Sequence, residues 1–188
     1  MFARTERLLL RPGWIEDAPA LARAIGDETI VRNLARAPWP YGLADAETFL
    51  ASPRARDEIS LLAFRRTHGA PQLIGATGVN RHEDGTYELG YWIARPYWGL
   101  GYATEAAGAV VDLARDSLRL KSIGASHFID NPASGRVLEK LGFEPTGTIA
   151  HRHSAGRGET APAKLYCLQL REGSKCDQWR LLEEPMAA

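Results

Sequence analysis

Between Tyr87 and Ile129 the chain runs from one apolar stretch, Tyr87 to Ile93, through Gly99-Leu100-Gly101 into a helical run. That run, about Ala103 to Leu118, leads into a second apolar stretch, about Ser122 to Ile129. The helical run places Ala106, Val110, Leu113 and Ala114 on one face, the period of an amphipathic helix. Two strands joined by a crossover of that length lie parallel, because a tight turn can only reverse the chain. The flanking segments are spaced for hairpins instead. Ile59 to Phe64 and Leu73 to Val79 are separated by Thr67-His68-Gly69-Ala70-Pro71, and Asp84-Gly85 marks a turn before Tyr87. One parallel crossover set among hairpins calls for a mixed sheet.

Around this unit the remaining elements read as follows. Leu8, Leu9 and Leu10 are stopped by Pro12-Gly13, giving an opening strand from Glu6 to Arg11. Asp17 stands where a cap belongs for a helix burying Ala18, Leu21, Ala22 and Ile25, and a further turn carries Ile30, Val31 and Leu34. Ala37-Pro38-Trp39-Pro40-Tyr41 is a stiff loop, followed by a short helix from about Asp45 to Ala51. Pro132 opens a helix to about Leu141, and Gly142 ends it. Thr146 to His153 and Leu165 to Leu170 form a closing hairpin, with Ser154 to Ala163 as a long polar connection.

At 188 residues the chain holds one core, assigned to residues 1–171, with 172–188 as a tail that is either a small covering helix or a homodimer contact. Lys plus Arg and Asp plus Glu are both 23, a net charge of zero. No broad field draws in nucleic acid or anionic lipid. Two cysteines, Cys167 and Cys176, lack metal-ligand spacing and read as free thiols in a reducing compartment. The N-terminal apolar residues are broken by Arg4, Glu6, Arg7 and Arg11, so neither a signal peptide nor a membrane span is expected, and the location expected is cytoplasmic.

The turn into the central helix carries the chemistry. A strand, a glycine-bearing turn and a helix N-terminus aim unpaired amides at an anion, and a pyrophosphate suits that arrangement. A P-loop is excluded by the absence of Gly-Lys-Ser/Thr, and the spacing is not the full dinucleotide-binding G-x-G-x-x-G.

Three motifs together resemble the Gcn5-related N-acetyltransferases (GNAT), in the branch named for RimJ and RimL. They are Thr5-Glu6-Arg7-Leu8-Leu9-Leu10-Arg11-Pro12, Gly99-Leu100-Gly101-Tyr102-Ala103-Thr104-Glu105-Ala106, and Asn131-Pro132-Ala133-Ser134 continuing through Leu138-Glu139-Lys140-Leu141-Gly142-Phe143. The resemblance covers roughly Thr5 to Leu170. It implies an α+β, three-layer α/β/α fold: a mixed, mostly antiparallel sheet of six or seven strands, splayed between the fourth and fifth, with acetyl-coenzyme A in the gap as co-substrate and no metal. Backbone groups of Tyr91, Trp92 and Ile93 then pair with the pantetheine arm. Amides of Gly99, Leu100, Gly101, Tyr102, Ala103 and Thr104 hold the pyrophosphate, and Asn131 hydrogen-bonds in the cleft, at the coenzyme or the adjoining strand.

The implied reaction is acetyl transfer to an amine by direct attack in a ternary complex. The amine is a protein N-terminus or a small molecule; a non-catalytic acyl-coenzyme A sensor and an enzyme using longer acyl chains or a hydroxyl acceptor are the alternatives. Such chemistry needs a neutral nucleophile, an oxyanion donor and a proton for the thiolate. Glu88 is the candidate base, or merely the partner of a nearby arginine. Ser134 is the candidate acid, or only a helix cap, because Leu138 stands where many relatives carry the acidic tyrosine. The amide of Trp92 or Ile93 is the oxyanion donor. Trp98 departs from the arginine or glutamine common at the start of the phosphate loop. Trp39 and Tyr41 either contact substrate or pack beneath their loop. His151 and His153 share a strand face without a third ligand nearby, which favours surface or substrate-facing histidines over a metal.

Overall fold

In the computed structural model, residues 1–172 together with Cys176 and Trp179 are described. Eight strands form one sheet in the order β1-β2-β3-β4-β5-β6-β8-β7. They are β1 (Ala3–Arg4), β2 (Leu8–Arg11), β3 (Ile59–Arg65), β4 (Gln72–Arg81), β5 (Tyr87–Ile93), β6 (Ser122–Phe128), β7 (Glu144–Ser154) and β8 (Glu159–Gln169). Every neighbouring pair is antiparallel except β5 and β6, the pair joined by the crossover helix. The helices are α1 (Ala18–Ile25), α2 (Glu28–Val31), α3 (Leu43–Ala51), α4 (Tyr102–Asp116) and α5 (Pro132–Lys140).

Alternation along β3 shows why helices cover both faces. Ile59, Leu61 and Ala63 join the cluster built on Ala106, Ala107, Val110 and Ala114 of α4. Leu62 and Phe64 point the other way, to Ala18 and Leu21 of α1 and Ala46 of α3. A period of two on the strand meets a period of 3.6 on each helix, and each face gains its own core. Among the described residues no helix is long and apolar enough to cross a membrane.

Four expectations change. The sheet has eight strands, because two residues, Ala3 and Arg4, pair with Leu10 and Leu9 ahead of the expected opening strand. That strand starts at Leu8, since the chain turns at Thr5, whose amide donates to the Leu8 carbonyl at 3.0 Å. The long connection Ser154 to Ala163 shrinks, because β8 already begins at Glu159. Within β8 the Pro162 carbonyl accepts from the Ile129 amide, just past the end of β6, at 3.0 Å. Finally, Cys167 and Cys176 are not free thiols but a disulfide with Cα atoms 6.0 Å apart. Their spacing carried no motif, and only the return of the chain past β8 brings them together. The tail helix weighed for 172–188 lies outside the described residues.

Candidate active site

The parallel pair β5 and β6 is in register at only two positions, Glu88 with Gly124 and Leu89 with Ala125. Beyond Leu89 the strands diverge, although each continues for at least three residues. The backbone facing that gap follows from alternation. Ala94 turns its amide to β4, donating to the Ile74 carbonyl at 2.7 Å. Two-residue alternation therefore also turns Trp92 to β4 and leaves the backbone of Tyr91 and Ile93 facing the gap. The Ile93 carbonyl already accepts from the Trp98 indole N–H at 2.6 Å, so Ile93 has its amide left to offer. Trp98, the departure from the common phosphate-loop pattern, thus closes the end of the splayed strand.

At the mouth of the gap Gly99 and Gly101 have φ of 76° and 81°. Left-handed backbone at two positions so close together folds the loop back onto the helix start, a conformation that favours glycine. The first intrahelical donor of α4 is the amide of Glu105, which reaches the Gly101 carbonyl at 3.1 Å. The amides of Tyr102, Ala103 and Thr104 thus precede the helix's own ladder and project from a positive dipole end. The opening motif braces this loop. Glu105 accepts from the Thr5 hydroxyl at 2.5 Å, the Arg7 amide at 2.9 Å and the Arg7 guanidinium at 2.7 Å. Arg7 also donates to the Leu100 carbonyl at 2.9 Å and lies over the Tyr102 ring at 4.4 Å. Burial pushes the Glu105 carboxyl up, but these donors outweigh it and hold it below the usual range.

Glu88 shares its sheet face with Trp92, which packs against the α1 and α2 clusters. One of its oxygens accepts from the Ser126 hydroxyl at 2.6 Å, and the other meets His82 Nε2 at 2.7 Å. Its side chain is 18% exposed. Burial pushes the carboxyl up, yet the hydrogen bonds from His82 and Ser126 hold it below the ordinary range, with Arg152 adding a longer-range attraction. The same contact raises His82 against the opposing effect of burial. The partner is therefore a histidine in direct contact and not an arginine. Sequence reasoning missed His82 and Ser126. The signal was the Asp84-Gly85 turn, which pairs Arg81 with Tyr87 and brings the next residue, His82, diagonally across to Glu88.

Ser134 lies on the opposite face. Its hydroxyl is 2.9 Å from the Tyr91 hydroxyl, which also donates to the Ser134 carbonyl at 3.0 Å. Burial pushes Tyr91 up to about 12, so it stays protonated. This phenol was absent from the expectations, where Tyr91 figured only through its backbone. Leu138 is fully buried in the α4-side core. Asn131 caps α5, accepting from the Ser134 amide at 3.4 Å. Tyr41 packs with Ile25, Ile30 and Val31, while Trp39 is 42% exposed. His151 and His153 are both exposed on β7, and among the described residues no three His, Cys, Asp or Glu side chains gather as a metal site would require.

A model of the acetyltransferase (GNAT) domain matches residues 7–144, most of the chain. The chain belongs to the GNAT acetyltransferases. A GNAT relative from Bacillus licheniformis, the uncharacterized N-acetyltransferase p20, is 28% identical over 89% of this chain and 96% of its own. The uncharacterized N-acetyltransferase YoaA of Bacillus subtilis strain 168 is 31% identical over 77% of this chain and 84% of its own. RimL, a ribosomal L7/L12 alpha-N-protein acetyltransferase solved with coenzyme A, shares the fold: TM-score 0.74, 14% identity, 90% of this chain and 98% of that one. The protein is a GNAT acetyltransferase, an enzyme of acetyl-coenzyme A-dependent acetylation.

Proposed function

We propose that this GNAT enzyme acetylates a primary amine by direct attack in a ternary complex, with the amine and the departing thiol served from opposite faces of the sheet. The observation that carries the reading is the division of groups around the gap. An ionised carboxylate, Glu88, stands on the α1 side, and two hydroxyls, Tyr91 and Ser134, meet on the α5 side. Acetyl transfer needs a proton acceptor near the amine and a proton donor near the sulfur, and one group cannot serve both at once.

The amides of Gly99 to Thr104 hold the pyrophosphate, and the backbone of Tyr91 and Ile93 extends along the pantetheine arm. The Ile93 amide, rather than that of Trp92, faces the developing oxyanion. The amine nitrogen bonds to the thioester carbon and the carbon–sulfur bond breaks. The amine's proton leaves through a water held by Glu88, because a carboxylate held this low takes a proton only in passing. The thiolate receives its proton from Ser134, and the Tyr91 phenol turns from the Ser134 carbonyl to return one to the serine. An α-amine, with a pKa near ~8 against ~10.4 for lysine, reaches the neutral form more readily. RimL is an alpha-N-protein acetyltransferase by name, and a protein N-terminus suits this site for the same reason, with a small-molecule amine as the other acceptor.

The test is calorimetric titration with acetyl-coenzyme A, followed by thiol release over a panel of amines and N-terminal peptides, for the wild type and Glu88→Gln. Coenzyme binding with thiol release is expected for the wild type. In Glu88→Gln, affinity should persist while turnover falls by about 10²-fold or more. Binding without release across the panel would favour the acyl-coenzyme A sensor.

A further inference from the structure

On the face that carries α5, the last residues in register across the parallel pair are Leu89 and Ala125, both in the core against α4. Two residues further along each strand, on that same face, stand Tyr91 of β5 and His127 of β6. Strands in continued register would set these two side chains opposite each other. The strands part instead, and the first turn of α5 meets both. Tyr91 holds Ser134, by its hydroxyl at 2.9 Å and its carbonyl at 3.0 Å. His127 meets the next residue, Gly135, which is buried. The three atoms nearest to a Cβ at Gly135 would be Nε2, Cδ2 and Cε1 of the His127 ring, at 2.7, 3.2 and 3.3 Å. The edge of the ring therefore lies against bare helix backbone. His127 is 7% exposed and is fixed from behind. Its Nδ1 donates to the Phe128 carbonyl at 2.8 Å, and the ring packs on Tyr166 with centroids 5.5 Å apart. Tyr166 is itself part of the α4-side core.

Resting on the reading of Ser134 as the thiol-side acid, we propose that His127 is a positioning residue for that acid, a rigid stop that sets α5 at the depth where Ser134 meets Tyr91. Gly135 is its complement, because a side chain there meets the ring before Ser134 reaches the phenol. Serine is a weak acid, so its proton serves the thiolate only when hydroxyl and sulfur are held in line, and a misplacement of about 1 Å costs about 10²-fold. The stop has to be stiff. A flat ring anchored by one hydrogen bond and one ring contact has that stiffness, whereas a flexible aliphatic chain does not. His127 acts through Ser134 alone, so its effect vanishes when the Ser134 hydroxyl is absent.

The experiment compares wild type, His127→Ala, His127→Phe, Gly135→Ala, Ser134→Ala and the double variant Ser134→Ala/His127→Ala. Thiol release gives kcat and the acceptor's KM, calorimetry gives acetyl-coenzyme A affinity, and nitrogen-15 NMR follows the Ser134 and Gly135 amides. His127→Ala should lower kcat by about tenfold, while acceptor KM and coenzyme affinity stay within about twofold. Gly135→Ala should do the same from the helix side. His127→Phe keeps a flat ring and should hold kcat within about threefold of wild type. In the double variant kcat should match Ser134→Ala within about twofold, because two residues acting as one unit do not add. The Ser134 and Gly135 amide resonances should move in His127→Ala and return toward wild type in His127→Phe. A second full tenfold drop in the double variant, a loss of coenzyme affinity that matches the loss in kcat, or stationary amide resonances would overturn the stop. Ser134→Ala with unchanged kcat marks failure of the acid itself, visible in that single variant and apart from the double-variant result, and the positioning role falls with it. If wild type releases no thiol with any amine, the amide resonances alone decide whether the ring sets the helix.

Discussion

Two hydrogen bonds set the charge state of the candidate base. Burial alone would push Glu88 toward its neutral form, and the His82 and Ser126 contacts together reverse that. The two partners give opposite pH limits. His82 is raised above its ordinary ~6.5, so its contribution to stability is full below that value and is lost as pH rises through the folded-state pKa. Glu88 is lowered below its ordinary ~4.3, so its contribution is present above that value and is lost as pH falls through the folded-state pKa. Urea midpoints measured from pH 4 to 9 should decline above about 6.5 in the wild type, and the alkaline decline should flatten in His82→Gln. On the other face, Ser134→Ala should lower kcat by about tenfold or more while acetyl-coenzyme A affinity holds. Tyr91→Phe should have a smaller effect in the same direction, measured by steady-state kinetics beside calorimetry.

Among elements, the tie between the opening turn and α4 does two jobs. Glu105 anchors Thr5 and Arg7, and Arg7 in turn holds the Leu100 carbonyl inside the glycine loop. Glu105→Ala removes the shared acceptor and should destabilise the fold by about 1–3 kcal/mol in urea titration. It should also weaken acetyl-coenzyme A binding, because the loop loses its brace. Gly101→Val tests the loop more directly. At φ of 81° a β-branched side chain is strained, at a cost of about 1–2 kcal/mol. The coenzyme's Kd should therefore rise with little change in the acceptor's KM.

Across the whole molecule, the β7–β8 hairpin is bound to the helical layer through Arg157, whose side chain is 8% exposed. It donates to both Asp130 carboxylate oxygens, at 2.9 and 2.8 Å, and to the Arg32 carbonyl at 2.7 Å. Nearby, the Ser154 hydroxyl reaches the carbonyls of Arg32 and Leu34, and the Ala155 amide reaches that of Ala35. These contacts join three sequence regions that share no secondary structure. Arg157→Ala should cost about 1–3 kcal/mol and speed amide exchange at Ser154 and Ala155 before it reaches the β3–β4 core, as read by hydrogen exchange.

By itself the sequence determined the elements whose signal is local. Hydrophobic period two, Asp84-Gly85 and the glycine loop located β5 from Tyr87 to Ile93 and the start of α4 within a residue, and the crossover made β5 and β6 parallel. The motif order led to the fold and family. Where a polar or proline-bearing strand depends on its neighbours, as at Glu159 to Ala163, the local pattern misled. Tertiary structure alone decided what each candidate side chain faces. Glu88 and Ser134 lie on opposite faces because β5 alternates and the strand pair separates past Leu89. His82, Ser126 and the Tyr91 phenol join the candidate residues because sheet register and helix packing bring distant residues to within hydrogen-bonding distance. Spacing along a chain records its local period, whereas long-range contact exists only once the sheet has closed.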